Sequence, residues 1–220
     1  MTISTFTTGG DVKSQLLTEY LNVTLEGSGR KADQVVEKAF DNNLTVNEVY
    51  LDIFQNTGYQ IGELWQRNQI SVAQEHLVTS IIERQMGDLR SMFKPEKEKG
   101  RTLVLGSVSK EFHSVGVQMV ADFFTQDGWT VYNLGPAVPT DSFLALARDV
   151  NADMIGLSAQ MIYHLPTITE FVRDSGNYGL AGIPIVQHPE LYETLDVHLS
   201  GTDAADGVRK ANQLLEAMGK

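Results

Sequence analysis

The hydrophobic pattern changes its period near the middle of the chain, and this change limits the folds open to it. Up to about residue 93, apolar residues recur every three or four positions, which is typical of amphipathic helices. From residue 101 onward, short β-rich runs alternate with helical runs, which predicts parallel strands joined by crossover helices. The 220 residues therefore predict an α + α/β protein.

The first part of the chain is predicted to be a four-helix bundle over residues 1–93. The predicted helices are 11–27, 30–42, 45–68 and 71–93. The last two helices begin with capping boxes, in which a hydroxyl and a side chain three residues later accept hydrogen bonds from backbone N–H groups of the helix start. The two pairs are Thr45 with Glu48 and Ser71 with Gln74. A charged stretch with one proline and one glycine, 94–100, follows as a predicted linker.

The second part, residues 101–220, is predicted to be a flavodoxin-like, Rossmann-like domain with a doubly wound parallel sheet of five strands. The predicted strands are 101–108, 129–135, 152–159, 182–187 and 196–201, and the predicted helices are 114–127, 140–150, 164–175, 189–195 and 203–218. In this topology ligands bind at the carboxyl ends of the strands, where the strand order reverses beside strand one.

Composition excludes several classes of function. The formal charge of −11 disfavours direct binding to nucleic acid, and the absence of cysteine excludes disulfides, thiolate nucleophiles and cysteine-attached bilins. No stretch resembles a signal peptide or a transmembrane helix, so we expect a cytoplasmic protein that does not bind membranes. No serine-hydrolase, phosphate-binding or paired-carboxylate motif is present, so we do not expect an enzyme.

One histidine stands at the junction of a predicted strand and a predicted helix. The stretch EFHSVG, residues 111–116, places His113 there. Neutral imidazole is a common metal ligand, and a hydrogen bond on its other nitrogen sets its orientation and basicity. Glu111 is placed to accept that bond, and Gly116 leaves the helix start open to a planar ligand. On these residues alone, an ordinary surface-loop histidine explains the stretch as well.

The wider spacing resembles the D-x-H-x-x-G and S-x-L signature of cobalamin-binding domains, with Glu111 in place of the aspartate and SAQ as the second triplet. NLGPAVP, residues 133–139, is similar to that family's loop after strand two, and the resemblance covers 101 to about 218. It implies that His113 is the lower axial ligand of cobalt, with Glu111 as its partner, and that the nucleotide tail of the cofactor enters a slot lined by small residues. The cofactor-binding residues that it implies are Gly106, Glu111, His113, Ser114, Gly116, Gly135, Ser158 and Gln160.

The chain departs from this signature where the family has a Gly-Gly pair. Gln187 and His188 stand there instead, so two side chains occupy the space that the family leaves for the nucleotide tail. We expect the tail to take a shifted path, or the space to be partly filled or used by another ligand. An exposed loop residue is an equally simple explanation of His188.

The helical part carries a second pattern, in which Trp65 is followed after nine residues by Glu75 and His76. It resembles the W-x9-E-H motif of B12-dependent photoreceptors of the light-responsive carotenoid-regulator type, over residues 30–93. The resemblance implies that Trp65 covers the upper face of an adenosylcobalamin, with Glu75 and His76 nearby. Gln66 replaces the histidine that binds cobalt after illumination in those photoreceptors, which argues against a bis-histidine light product through that position. Taken singly, helix packing and a solvated helix face explain these residues.

These resemblances favour a stand-alone adenosylcobalamin light sensor without a DNA-binding domain. It would signal to a protein partner or through a change in homo-oligomeric state. Two alternatives stay open. The first is a corrinoid carrier of a methyltransferase system. The second is a sensor that holds another chromophore, such as the bilin biliverdin, beside or instead of cobalamin, with Tyr163, His164, Gln187 and His188 lining the second site.

Overall fold

The computed structural model describes residues 11–160, 162–176, 179–182 and 199–219. The chain divides into two compact units, Met1–Phe93 and Lys94–Lys220. The first unit is helical and the second combines helices with a parallel sheet, so the predicted fold class is confirmed. None of the helices in the described part of the chain combines the length and the apolar character needed to cross a bilayer.

The helical unit contains the four helices that its hydrophobic period predicts. Its elements are α1 (Val12–Leu25), α2 (Gly29–Asp41), α3 (Val46–Glu48), a π-helical stretch (Val49–Gln55), α4 (Asn56–Gln66), α5 (Val72–Leu89) and a 3-10 turn (Arg90–Met92). The π-helical stretch joins α3 to α4 directly, so these three elements correspond to the single helix predicted over 45–68. The π-helical stretch contributes four buried side chains, Val49, Tyr50, Ile53 and Phe54.

Aromatic rings fill the centre of this unit. The ring of Phe54 lies 5.4 Å from that of Tyr20 and 5.6 Å from that of Tyr50, and Phe93 packs edge-on against Tyr50 at 4.9 Å. A buried phenol needs a hydrogen-bond partner. The hydroxyl of Tyr50 donates to the backbone carbonyl of Met86 at 2.9 Å. The hydroxyl of Tyr20 donates to the side-chain oxygen of a glutamine in α5.

Both predicted capping boxes are present. Thr45 Oγ1 accepts from the backbone N–H of Glu48 at 3.2 Å, and the backbone N–H of Thr45 donates to Glu48 Oε2 at 2.8 Å. The corresponding distances for Ser71 and Gln74 are 3.2 and 3.0 Å. Helix starts carry unpaired N–H groups, and these side chains satisfy them locally, which is why the sequence alone could place both starts.

The second unit contains a parallel sheet of five strands in the order β2-β1-β3-β4-β5, which confirms the doubly wound prediction. The strands are β1 (Thr102–Ser107), β2 (Thr130–Asn133), β3 (Met154–Ser158), β4 (Gly179–Gly182) and β5 (Leu199–Ser200). One prediction needs correction, because β4 ends where the fourth strand was predicted to begin. The remainder of that predicted strand and the helix predicted over 189–195 lie outside the described residues.

Four longer helices accompany the sheet: α6 (Val115–Gln126), α7 (Thr140–Asp149), α8 (Leu165–Ser175) and α9 (Ala204–Ala217). The central strands β1 and β3 are almost wholly buried, which matches their near-continuous apolar sequences. From β1 the chain crosses to β2 on one side and later to β3 on the other side. The carboxyl ends of β1 and β3 therefore lie side by side at the switch point of the sheet.

The segment predicted as a linker is bound along the end of α6. The backbone N–H of Lys99 donates to the carbonyl of Gly128 at 2.9 Å. Gly128 has a φ of +86°, and a Cβ at this position would lie 2.3 Å from the carbonyl oxygen of Lys97. Glycine is therefore required here both by the backbone conformation and by the close approach of the preceding segment.

Thr45→Ala is expected to lower the free energy of unfolding by about 1 kcal/mol, because it removes the side-chain acceptor that closes the helix start. The measurement is urea unfolding followed by helical circular dichroism. Thr18→Ala is the matched control, since Thr18 Oγ1 donates to the carbonyl of Ser14 within α1 and caps no helix start. We expect the control to stay within about 0.5 kcal/mol of the wild type. Equal losses in the two variants would contradict the capping role.

Candidate functional site

Among the described residues, segments that follow three strands meet at the carboxyl edge of the sheet: 108–114 after β1, 134–139 after β2, and 159–160 with 162–164 after β3. The backbone N–H of Ala137 donates to the carbonyl of Glu111 at 2.8 Å, and that of Val108 donates to the carbonyl of Ser158 at 3.0 Å. The loop after β1 is thus bound to both of its neighbours at the switch point.

His113 lies at the end of this first loop, two residues before α6 begins. Its backbone carbonyl accepts a hydrogen bond from Ser107 Oγ at 3.2 Å, and its backbone N–H donates to Glu111 Oε1 at 3.1 Å. The Nδ1 atom of the ring is hydrogen-bonded to the same carboxylate oxygen. The side chain is 43% exposed. One carboxylate therefore sets the orientation of the ring, and Nε2 is the nitrogen that this arrangement assigns to a metal.

Glu111 is a buried acid, only 1% exposed, whose two carboxylate oxygens have different partners. Oε1 faces His113, and Oε2 accepts from the backbone N–H of Gln160 at 2.8 Å. Burial by itself would raise the pKa of the Glu111 carboxyl. The hydrogen bonds from the His113 ring and from the backbone N–H groups of Gln160 and His113 outweigh burial and lower that pKa to about 2. Glu111 is therefore an ionised carboxylate at neutral pH.

A second histidine approaches the same carboxylate. His164 is 4% exposed, and its Nε2 lies 3.6 Å from Glu111 Oε2. This nitrogen is buried and has no hydrogen-bond partner among the described residues. Its ring also contacts that of Tyr163, with centroids 4.4 Å apart. The sequence pattern associated His164 only with a second chromophore, because Glu111 lies 53 positions earlier and no spacing rule connects the two residues.

The predicted glycines have different surroundings. A Cβ at Gly135, where φ is +72°, would meet none of the described residues within 4 Å, and one at Gly116 would make an ordinary contact with Gln160 Nε2 at 3.7 Å. At Gly106 the structure differs from the expected open slot. A Cβ there would lie 2.9 Å from the ring of Phe143, so this glycine allows the ring to pack closely against β1. Space beside the loops is thus available at two of the three predicted glycines.

The structure brings together the other residues predicted for the α/β unit. Ser114 is the residue immediately before α6, Ser158 is the buried last residue of β3, and Gln160 lies two residues further on. All of them lie at the carboxyl edge of the sheet that holds His113. Gln187 and His188 lie outside the described residues.

The exposure of Phe112 is a feature of the site that the sequence did not predict. This side chain is 73% exposed although it stands between Glu111 and His113. An exposed phenylalanine beside an exposed histidine gives the edge an apolar surface that a planar ligand would cover. No sequence signal separates such a phenylalanine from one that packs in the core.

The second predicted set lies in the helical unit. Trp65 is a partly exposed residue in the last turn of α4, Glu75 lies in the first turn of α5, and His76 follows it. Glu75 accepts a hydrogen bond from Thr79 Oγ1 at 2.9 Å and pairs with the ring of His76. These contacts are local to α5. The predicted role of the three residues at the upper face of a corrinoid stays a prediction.

Comparison with known proteins agrees with this geometry. Residues 101–204 match the family model described as a B12 binding domain, and residues 16–89 match a second model with the same description. The chain is 31% identical over 121 residues to dimethylamine corrinoid protein 3 of Methanosarcina mazei, which is 51% of this chain and 71% of that protein. It is 25% identical over 214 residues to a dimethylamine corrinoid protein of Methanosarcina barkeri, which is 92% of this chain and 99% of that protein.

A solved structure shares the fold. The monomethylamine corrinoid protein of Methanosarcina barkeri superposes with a TM-score of 0.77 and 13% sequence identity, covering 92% of this chain and all of that one. A cobalt corrinoid fits the described site, because the partly exposed ring of His113 is held through Nδ1 by an ionised carboxylate, and imidazole is a nitrogen ligand suited to cobalt. The chain belongs to the B12-binding-domain family of corrinoid proteins, and its cofactor is a cobalt corrinoid.

The interpretation as a light sensor is wrong. The relatives that match over most of their length are methylamine corrinoid proteins and not photoreceptors. The comparisons likewise give no support to an adenosyl upper ligand or to biliverdin. The W-x9-E-H pattern misled because its residues occupy a helix end and the next helix start, where an acidic residue in the first turn is favoured by local electrostatics in any helix.

Glu111→Gln is expected to lower the free energy of unfolding at pH 7 by roughly 2 kcal/mol, because the ionised carboxylate accepts three hydrogen bonds in the fold. The carboxyl pKa is about 2 in the folded protein and near 4.5 in the unfolded chain. This stabilisation is therefore fully present above pH 4.5 and is lost as the pH falls towards 2. Denaturant unfolding at pH 7 and pH 3, followed by the fluorescence of buried Trp129, measures it.

The difference between wild type and Glu111→Gln should shrink by more than half at pH 3. Glu98→Gln is the matched control, since Glu98 is an exposed acid in the stretch before β1 and should change stability by less than about 0.5 kcal/mol. A difference between wild type and Glu111→Gln that is the same at both pH values would contradict the assignment of a low pKa to Glu111.

Proposed function

We propose that this protein is a corrinoid carrier of a methyltransferase system, with His113 as the lower axial ligand. The observation that carries the proposal is the ring of His113, held by the ionised Glu111 at the switch point in a chain whose relatives are methylamine corrinoid proteins. The bound corrinoid supplies a cobalt centre that accepts a methyl group from one molecule and passes it to another.

The residues of this chain would hold that centre in place. The pKa of Glu111 is about 2, so its carboxylate is ionised and accepts the hydrogen bond from Nδ1–H of His113, and Nε2 would be the nitrogen that binds cobalt. An anionic acceptor on Nδ1 makes the ring a stronger donor and fixes its direction. The backbone hydrogen bonds of the loop after β1 keep the ligand on a rigid edge of the sheet.

A methyl group takes the place of the adenosyl group in this proposal, because the relatives are named for methylated amines. Methylamines are therefore the first candidate methyl donors. The partner is a methyltransferase protein, whose own residues would activate the donor and the acceptor. The chain itself is in this proposal a carrier and not an enzyme, and biliverdin has no part in it.

His113→Ala is expected to abolish the absorption spectrum of histidine-ligated cobalamin and to weaken corrinoid retention at least tenfold, because the substitution removes the axial nitrogen ligand. The protein is mixed with methylcobalamin, desalted and examined by absorption spectroscopy. Ser109→Ala, in the same loop, is the control and should bind like the wild type. A wild-type spectrum in His113→Ala would exclude His113 as the ligand.

The carrier role is tested with the intact protein loaded with cobalamin and reduced. It is mixed with a methylamine methyltransferase and dimethylamine that carries a labelled methyl group. We expect the methylcobalamin spectrum to appear on this protein, with the label bound to it, and the His113→Ala variant to remain unlabelled. Absence of labelling with methylamine and methanol methyltransferases alike, in a protein that retains the corrinoid, would reject the carrier role and leave the ligand assignment intact.

A further inference from the structure

We propose that His164 is a positioning residue for the cobalt ligand and that it acts through Glu111. In this arrangement the Nε2–H group of His164 donates to Glu111 Oε2, while Oε1 of the same carboxylate holds His113. The proposal rests on His113 being the ligand, which is part of the proposed function, but it does not depend on methyl transfer.

His164 Nε2 is a buried nitrogen close to a charged acceptor, the carboxylate of Glu111. Within the described part of the chain this buried nitrogen lacks a hydrogen-bond partner, and a buried donor that stays unpaired destabilises the fold. The charged oxygen of Glu111 lies 3.6 Å away, and a movement of about half an ångström would give an ordinary N–H···O distance. A histidine bond to an ionised acceptor is stronger than one between neutral groups.

The carboxylate of Glu111 is held by hydrogen bonds to both of its oxygens. Glu111 Oε1 accepts hydrogen bonds from His113, and Oε2 accepts one from the backbone N–H of Gln160 at 2.8 Å. The backbone N–H groups of His113 and Gln160 already hold one oxygen each, and a second donor on Oε2 from another direction would further restrict the tilt of the carboxylate plane. The plane of the carboxylate determines where Oε1 lies, and therefore the direction of the His113 ring.

His164 stands at the start of a helix. It is the N-cap residue of α8, and Pro166 in the first turn restricts the backbone there. The ring of Tyr163 packs against it at 4.4 Å. The backbone of His164 is thus held in place by the start of a helix, as a positioning residue requires.

The experiment compares three substitutions at this position. His164→Phe keeps a ring but removes the donor. His164→Gln places an amide N–H near the former Nε2. His164→Asn has an amide that is too short to reach Glu111, and it is a favoured N-cap residue, so the start of α8 is preserved. Each intact protein is titrated with aquocobalamin, and the histidine-ligated form is followed by its absorption spectrum.

We expect the Phe and Asn variants to lose roughly tenfold in affinity for the histidine-ligated form, at the lower end of the range for outer partners of metal-bound histidines. The Gln variant should recover most of that loss. In the corrinoid-free protein, the imidazole ¹⁵N resonances of His113 should shift in the Phe and Asn variants and stay near their wild-type values in the Gln variant. Wild-type affinity in both the Phe and Asn variants would overturn the proposal.

A double-mutant cycle separates positioning from a purely structural role. If His164 acts through Glu111, then His164→Asn should cost little further affinity when Glu111→Gln is already present. The same tenfold loss in both backgrounds would show that His164 acts independently of Glu111, and it would overturn the proposal. If instead His113→Ala retains the wild-type spectrum, the ligand assignment itself has failed, which is a different result from either of these.

Discussion

The buried carboxylate of Glu111 is the interaction on which the site depends. An ionised group in a protein interior is tolerated only when hydrogen bonds replace its water. The replacements here come from the loop after β1, through His113, and from the loop after β3, through Gln160. The backbone carbonyl of Glu111 also accepts a bond from Ala137 in the loop after β2. One residue therefore connects His113 to the ends of three adjacent strands.

The replacement of aspartate by glutamate in the signature has a structural consequence. The longer side chain of Glu111 turns back so that Oε1 meets both the backbone N–H and the ring nitrogen of His113, only two residues away. Its second oxygen then points towards the loop after β3, where His164 lies within 3.6 Å. Glutamate at this position thus keeps the hydrogen bond to His113 and also approaches a residue that the signature does not contain.

Local sequence patterns predicted structure correctly in this chain, whereas a family motif of similar length predicted a wrong function. The helix starts at Thr45 and Ser71 were predicted from pairs three residues apart, and both capping boxes are present. The W-x9-E-H pattern also concerns nearby residues, but it was used to infer a function, and the relatives contradict that function. Residues that satisfy a helix start can match a functional motif without sharing its role, because local backbone chemistry already favours them.

The sequence by itself determined the helical unit, the doubly wound sheet and the junction that holds His113 and Glu111, because all of these follow from short-range periodicity and spacing. Only the tertiary structure decided the approach of His164 to Glu111, the packing of Phe143 against Gly106 and the exposure of Phe112. The physical reason is that these features depend on side chains from different segments meeting in space. A pattern of residues along the chain sets which face of an element is apolar, whereas the neighbours across that face are set by how the strands and loops are arranged.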